Sequence, residues 1–227
     1  MSNITVLIVD DHNIVRQGLK ALLQAEGDIT IVGEAPSGRE AVRLASTLRP
    51  EIVIMDLAMP LLNGWEATRQ ITKAVPSAKV VVLSSYGDDI HVQQAIAAGA
   101  AAYLLKQTAA SDLVKAIREV KQGNAFFSPL IAKRLREQTY VGPGAEPAAP
   151  KVPEVALTSR EAEVLQLIAE GFANKQIAYE LGLSVKTVEK HRQSVMNKLG
   201  IHDTASLVRH AAAKGVIEMN GSGVPSP

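Results

Sequence analysis

Five side chains suited to handling a phosphoryl group fall at the ends of apolar runs. Asp10 and Asp11 close "ITVLIVDD", Asp56 closes "IVIMD", Ser84 closes "VVVLS" and Lys106 closes "AAYLLK". Carboxylates gathered in one place repel and raise one another's pKa until a cation joins them. An all-oxygen donor set suits Mg2+, which keeps several waters and takes one or two carboxylates plus a phosphate. The chain has no cysteine, and its five histidines (His12, His91, His191, His202, His210) lack HExxH spacing, so a zinc centre is not expected. Beside such a cation, Asp56 is a carboxylate nucleophile able to accept a phosphoryl group as an acyl phosphate. Lys106 would neutralise charge on that group, and Ser84 would donate a hydrogen bond to it. A lone acid at a strand end usually starts a turn or caps a helix. For the whole set, that account needs independent coincidences at one edge.

The elements that must place these residues are legible as an alternation. Near-continuously apolar stretches at 4–9, 29–35, 51–55, 78–84 and 101–106 read as strands buried on both faces of a parallel sheet. Helical patterns occupy 12–26, 37–48, 64–75, 89–98 and 110–121, and in the first Val15, Leu19, Leu22 and Leu23 share a face. Strand and helix alternating five times imply right-handed crossovers and a doubly wound α/β layer of five parallel strands over residues 1–125. In such sheets ligands sit beyond the carboxyl ends of the strands, where strand order reverses. That rule brings the five side chains to one rim.

Residues 126–155 read as a linker: within 126–138 a short helix after Pro129, then a Gly- and Pro-rich segment unsuited to a helix or central strand. From 156 to 219 the pattern is all helical. Thr158 and Glu161 form a capping box, Asn174 and Ser184 can cap two further helices, Thr204 can start a fourth, and Gly182 and Gly200 end two of the four. Residues 220–227 should be disordered.

The first module resembles the receiver domain of two-component response regulators. The resemblance rests on "VDDH" at 9–12, "MDLAMPLLNG" at 55–64, "LSS" at 83–85 and "GAAAYLLK" at 99–106, in matching order and spacing. It implies a flavodoxin-like fold and phosphorylation of Asp56 by a sensor histidine kinase. It also implies that Asp10, Asp11, Asp56 and the Ala58 carbonyl organise Mg2+, and that Ser84 and Lys106 read the phosphoryl group. Tyr103 stands where such receivers carry an aromatic that turns inward on activation. Two positions depart from the pattern: Gln107 replaces a common proline after the lysine, and residue 84 is serine rather than threonine.

Residues 172–200 carry five basic side chains against two acidic ones, whereas residues 1–125 carry twelve against thirteen. A charged run is usually a solvated helix face. Here it lies on two helices joined by a short turn at Gly182, a helix-turn-helix, whose second helix offers free N–H groups at Ser184 to a phosphate. The stretch from Leu157 to Ile201 resembles the LuxR-type DNA-binding domain. That resemblance makes Asn174, Lys175, Ser184, Lys186, Thr187, His191 and Arg192 candidates for DNA backbone contacts. Glu189, Lys190 and Gln193 become candidates for reading base edges. It leaves Val188, Val195 and Leu199 to the core, and Ala173 replaces a common serine. Ala205, Leu207, Val208 and Ala212 on the fourth helix are candidates for dimerisation, with packing inside the domain as the alternative.

The expectation is therefore a cytoplasmic transcriptional regulator whose phosphorylation controls homodimerisation and binding to double-stranded promoter DNA, with RNA polymerase as a further partner. No apolar run approaches the ~20 residues of a membrane span, and the N-terminus lacks the basic and cleavage features of a secretory signal. No turnover of an external substrate is expected. The rival readings are a regulator independent of phosphorylation and a signalling adaptor acting through protein contacts.

Overall fold

The structure, a computed structural model, describes residues 3–107, 110–129, 131–133 and 157–217. The chain divides into two compact units, Met1–Glu154 and Val155–Pro227.

The first unit alternates as its apolar runs dictate: β1 (Ile4–Val9), α1 (Asn13–Gln24), β2 (Ile29–Ala35), α2 (Gly38–Leu48), β3 (Ile52–Met55), α3 (Gly64–Ala74), β4 (Lys79–Ser84), α4 (Asp89–Ala97), β5 (Ala102–Leu105) and α5 (Ala110–Lys121). A further strand, β6 (Phe126–Phe127), follows. The sheet is parallel throughout, in the order β2-β1-β3-β4-β5-β6. Strand order reverses between β1 and β3, the place where an open α/β sheet forms its ligand crevice.

Successive residues of the central strands serve opposite faces. Leu7, Val9, Val53, Met55, Val80, Val82 and Tyr103 pack with α2, α3 and α4, and Val6, Ile8, Ile52, Ile54, Val81, Leu83 and Leu104 pack with α1 and α5. Both faces are dry, which accounts for the unbroken apolar runs.

The five-stranded expectation falls one strand short. Phe126 and Phe127, placed by sequence in the linker ahead of its short helix, pair with Ala102 and Tyr103 of β5. Residues 129 and 131–133 are helical, and Ile131 is fully buried in the same core as Tyr103. Two aromatic residues beside a serine and a proline carry too little periodicity to separate a strand from a helix start. The rest of the linker segment and the 220–227 tail lie outside the described residues.

Among its described residues the second unit contains four helices: α6 (Ser159–Ala169), α7 (Asn174–Leu181), α8 (Val185–Leu199) and α9 (Thr204–Ala213). Thr158 and Glu161 close the expected capping box on α6. α7 ends at Gly182 and α8 at Gly200, both with positive φ, where a glycine carries no steric penalty. One cap differs from expectation. Ala173, not Asn174, precedes α7, and its amide donates to Gln176 at 2.8 Å. Thr204 is the first residue of α9, as expected, and Asp203 before it caps the helix, accepting from the Ser206 amide at 2.8 Å. Val164, Leu167, Ile168, Ile177, Val188, Val195 and Leu207 form the buried centre. Leu199, expected there too, is only partly buried.

Candidate functional site

The ends of β1, β3 and β5 bring the predicted acid–base residues together. Lys106 Nζ lies 2.7 Å from Asp10 Oδ2 and 2.9 Å from Asp56 Oδ2. Asp10, Asp11, His12 and Asp56 each offer a ligand atom within 4.8 Å of the others. Asp10 and Asp56 are buried, and Asp11 is partly exposed. One Asp11 oxygen is buried and accepts no hydrogen bond among the described residues. It lies 2.8 Å from His12 Nδ1 without meeting hydrogen-bond geometry. An unsatisfied carboxylate oxygen among further carboxylates fits a hard divalent cation such as Mg2+.

Burial pushes the Asp56 carboxyl up to about 6; Lys106 opposes the rise and the Asp10 charge adds to it. For Lys106, burial works against the ammonium, but the hydrogen bond to Asp10 and the Asp56 charge outweigh it and raise its pKa. One ammonium thus compensates two buried carboxylates. A second cation would complete the balance.

The loop after Asp56 is held by close backbone packing. A Cβ on Gly64 would lie 2.0 Å from the Asp56 carbonyl oxygen and 2.8 Å from Leu57 Cα. Inside the loop, the Leu62 amide donates to the Pro60 carbonyl at 2.8 Å across Leu61, whose φ is +68°. This is a γ-turn of the strained hand. Ala58, two residues past Asp56, is partly exposed.

Ser84 is buried at the end of β4, and its hydroxyl accepts from the Tyr86 amide at 3.0 Å. Tyr103 is fully buried and donates to the Tyr86 carbonyl at 2.8 Å. Its hydroxyl pKa is pushed up to about 12 by burial, against a hydrogen bond with Ser84. The inward position expected of Tyr103 on activation is already occupied. Among the described residues no peptide bond is cis, so the Lys106–Gln107 bond is trans.

In the second unit, Lys186, Glu189, Lys190 and Gln193 are exposed along one stripe of α8, Ser184 is exposed just before its start, and Lys175 is exposed in the first turn of α7. Ser184 caps α8 by accepting from the Thr187 amide at 3.1 Å. Thr187, His191, Arg192 and Asn174 are half-buried. Arg192 donates to Asn174 Oδ1 at 3.3 Å and to Thr204 Oγ1, so it also ties α8 to the starts of α7 and α9. On α9, Leu207 is fully buried together with Ala211, one turn on, where the helix packs against α6. That burial removes Leu207 from any dimer surface. Of the others, at i, i+3 and i+7, Ala205 is exposed and Val208 and Ala212 are half-buried.

Sequence reasoning missed His12, because the site was read as oxygen-only. The signal was present in "VDDH", directly after the acid pair.

Comparisons with known proteins agree with both units. Residues 6–118 match the family model "Response regulator receiver domain", and residues 155–211 match "Bacterial regulatory proteins, luxR family". The chain is 41% identical over 209 residues to the transcriptional regulatory protein LiaR of Bacillus subtilis, covering 92% of this chain and 96% of LiaR. It is 37% identical to the response regulator protein VraR of Staphylococcus aureus, covering 95% of this chain and 99% of VraR. A solved structure of RcsB from Salmonella enterica serovar Typhimurium, bound to a promoter in the presence of the phosphomimetic BeF3-, matches with a TM-score of 0.57 at 26% identity, covering 93% and 99% of the two chains. Another, of two RcsB dimers bound to two parallel DNAs, matches with a TM-score of 0.57 at 27% identity and the same coverage. The fold, the rim of acids and the helix-turn-helix converge on one conclusion: the chain belongs to the two-component response regulators that join a receiver to a LuxR-type regulatory domain.

Proposed function

We propose that Mg2+-dependent phosphorylation of Asp56 by a sensor histidine kinase controls dimerisation and sequence-specific binding to promoter DNA, and thereby transcription. The observation that carries this reading is the juxtaposition of Asp10, Asp11 and Asp56 with Lys106 only 2.9 Å from the acceptor carboxylate. Asp10, Asp11, Asp56 and the Ala58 carbonyl would hold the ion. When bound, it supplies positive charge against the phosphoryl oxygens. Asp56 accepts the group as an acyl phosphate, Lys106 pairs with one of its oxygens, and Ser84 donates its hydroxyl to another. Redirecting that hydroxyl changes its relation to Tyr86 and Tyr103, which links the phosphoryl group to the β4–α4 segment.

On the second unit, Lys175, Lys186, Ser184, Thr187, His191, Arg192 and Asn174 serve DNA phosphates. Glu189, Lys190 and Gln193 read base edges in the major groove. Ala205, Val208 and Ala212 of α9 form the dimer surface. The DNA-bound and dimeric RcsB structures support this reading, as does the regulatory name of LiaR. No helix among the described residues is long and apolar enough to cross a membrane, in keeping with a cytoplasmic protein. RNA polymerase would meet the DNA-bound dimer.

DNA footprinting with and without acetyl phosphate and Mg2+ tests the coupling. Protection should extend and tighten on phosphorylation of the wild-type chain, and Asp56→Asn should abolish that gain. An Asp56→Asn chain with undiminished response in cells would establish regulation without phosphorylation instead.

A further inference from the structure

The acid rim contains one ligand type that Mg2+ does not seek. His12 is the residue preceding α1, and its backbone amide donates to Asp10 Oδ1 at 2.8 Å, which fixes its place at the mouth of the site. Its side chain makes no capping hydrogen bond to the helix. Instead Nδ1 lies 2.8 Å from Asp11 Oδ1 and 3.3 Å from Asp10 Oδ1. Two ligands at right angles around an ion with bonds of ~2.1 Å stand about 3 Å apart. The imidazole nitrogen and the two carboxylates therefore already have the spacing of adjacent ligands. The Asp11 oxygen that faces the imidazole is also the one left without a hydrogen bond. The ring is mostly exposed, so it can adjust without disturbing the core.

Carboxylate oxygens alone favour Mg2+, Ca2+ and Mn2+, whereas an imidazole nitrogen favours the later first-row ions, whose affinities rise toward nickel and copper. We propose that His12 is a nitrogen ligand at the edge of the acid pocket, and that the receiver consequently binds late first-row divalent cations through a mixed nitrogen–oxygen site. The proposal rests on the reading of this pocket as a divalent-cation site. It adds a regulatory property to it: the ion occupying the phosphoacceptor site depends on which cations are present, and His12 sets the preference.

Isothermal titration of the full chain with Mg2+ and with Ni2+, for wild type and His12→Ala, tests this directly. Ni2+ binding should weaken about tenfold in the variant, while Mg2+ binding stays within twofold. The unchanged Mg2+ affinity also shows that the variant is folded. Loading with one equivalent of Cu2+, a paramagnetic late first-row ion, gives an independent readout: pulsed electron paramagnetic resonance should detect imidazole nitrogen coupling in wild type and lose it in His12→Ala. Equal Ni2+ affinities in the two proteins, or no nitrogen coupling in wild type, would overturn the assignment of His12 while leaving the acid pocket intact. If wild type binds neither ion and Asp56→Asn changes nothing, the pocket itself is not a cation site, and both readings fall.

Discussion

Asp56 is the residue whose placement is most at odds with its own solvation. Its folded-state pKa of about 6 lies above the ordinary 3.8, because burial disfavours the carboxylate. The raised value means that folding favours the protonated acid. That preference is complete at low pH and is lost as pH rises through about 6. At neutral pH without metal, the ionised side chain is therefore a destabilising element. Asp56→Asn should stabilise the metal-free receiver by about 1–3 kcal/mol at pH 7.5, with the gain shrinking toward pH 4. Urea unfolding in the presence of a chelator measures it; a loss of stability at pH 7.5 would contradict the stated cause. Gly64 sets the opposite kind of limit. A Cβ there would lie 2.0 Å from the Asp56 carbonyl oxygen, so the loop after Asp56 has no room for a side chain at this position. Gly64→Ala should destabilise the receiver by roughly 2–4 kcal/mol and reduce acetyl phosphate labelling of Asp56, both measurable on one sample.

The helices of the second unit are tied by a charge as well as by their core. Glu161 on α6 accepts from Lys198 Nζ at 2.6 Å, Ser194 Oγ at 2.7 Å and the Thr158 amide at 2.7 Å. Burial opposes its ionisation, but these donors outweigh burial and hold its pKa at about 2. A depressed carboxyl contributes stability above its unfolded value of 4.5, lost as pH falls toward about 2. Glu161→Gln should destabilise this unit by roughly 1–3 kcal/mol at pH 7, and the difference from wild type should vanish near the acid limit in pH-dependent unfolding. The network braces α8 through Ser194 and Lys198, so a loosened α8 should also weaken DNA binding. In the receiver, β4 and α4 are joined by aromatic contacts: Tyr86 stacks on His91 at 4.5 Å, and His91 lies 5.4 Å from Trp65. Ser84 and Tyr103 both hydrogen-bond to the Tyr86 backbone, so a change at Ser84 passes into α4 through that residue.

Two compact units with separate cores should unfold separately. Trp65, the chain's one tryptophan, lies in the receiver. Its fluorescence should report that unit alone, while far-ultraviolet circular dichroism reports both. Asp56→Asn should move only the fluorescence transition and Glu161→Gln only the other; a single transition shifted by both variants would refute independence. The sequence made the alternating elements and the acid rim legible because both follow from one-dimensional pattern: apolar runs give strands, and strand ends give the rim. What escaped it depends on neighbours distant in the chain. Leu207 and Val208 are adjacent and both apolar, and only packing against α6 decides which one is buried. His12 looked incidental until folding brought Asp56 beside the acid pair. Phe126 and Phe127 became a strand only because β5 offered an edge.

That last pairing decides where the receiver can be cut. The Phe126 amide donates to the Ala101 carbonyl at 3.3 Å, and the Ser128 amide donates to the Tyr103 carbonyl at 3.1 Å. A receiver ended at residue 125, where composition marks the boundary, would leave those carbonyls open along the flank of β5 and a gap where Ile131 sat. Open strand flanks invite pairing between molecules. Such a fragment should self-associate in size-exclusion chromatography, whereas one extended past residue 133 should elute as a monomer.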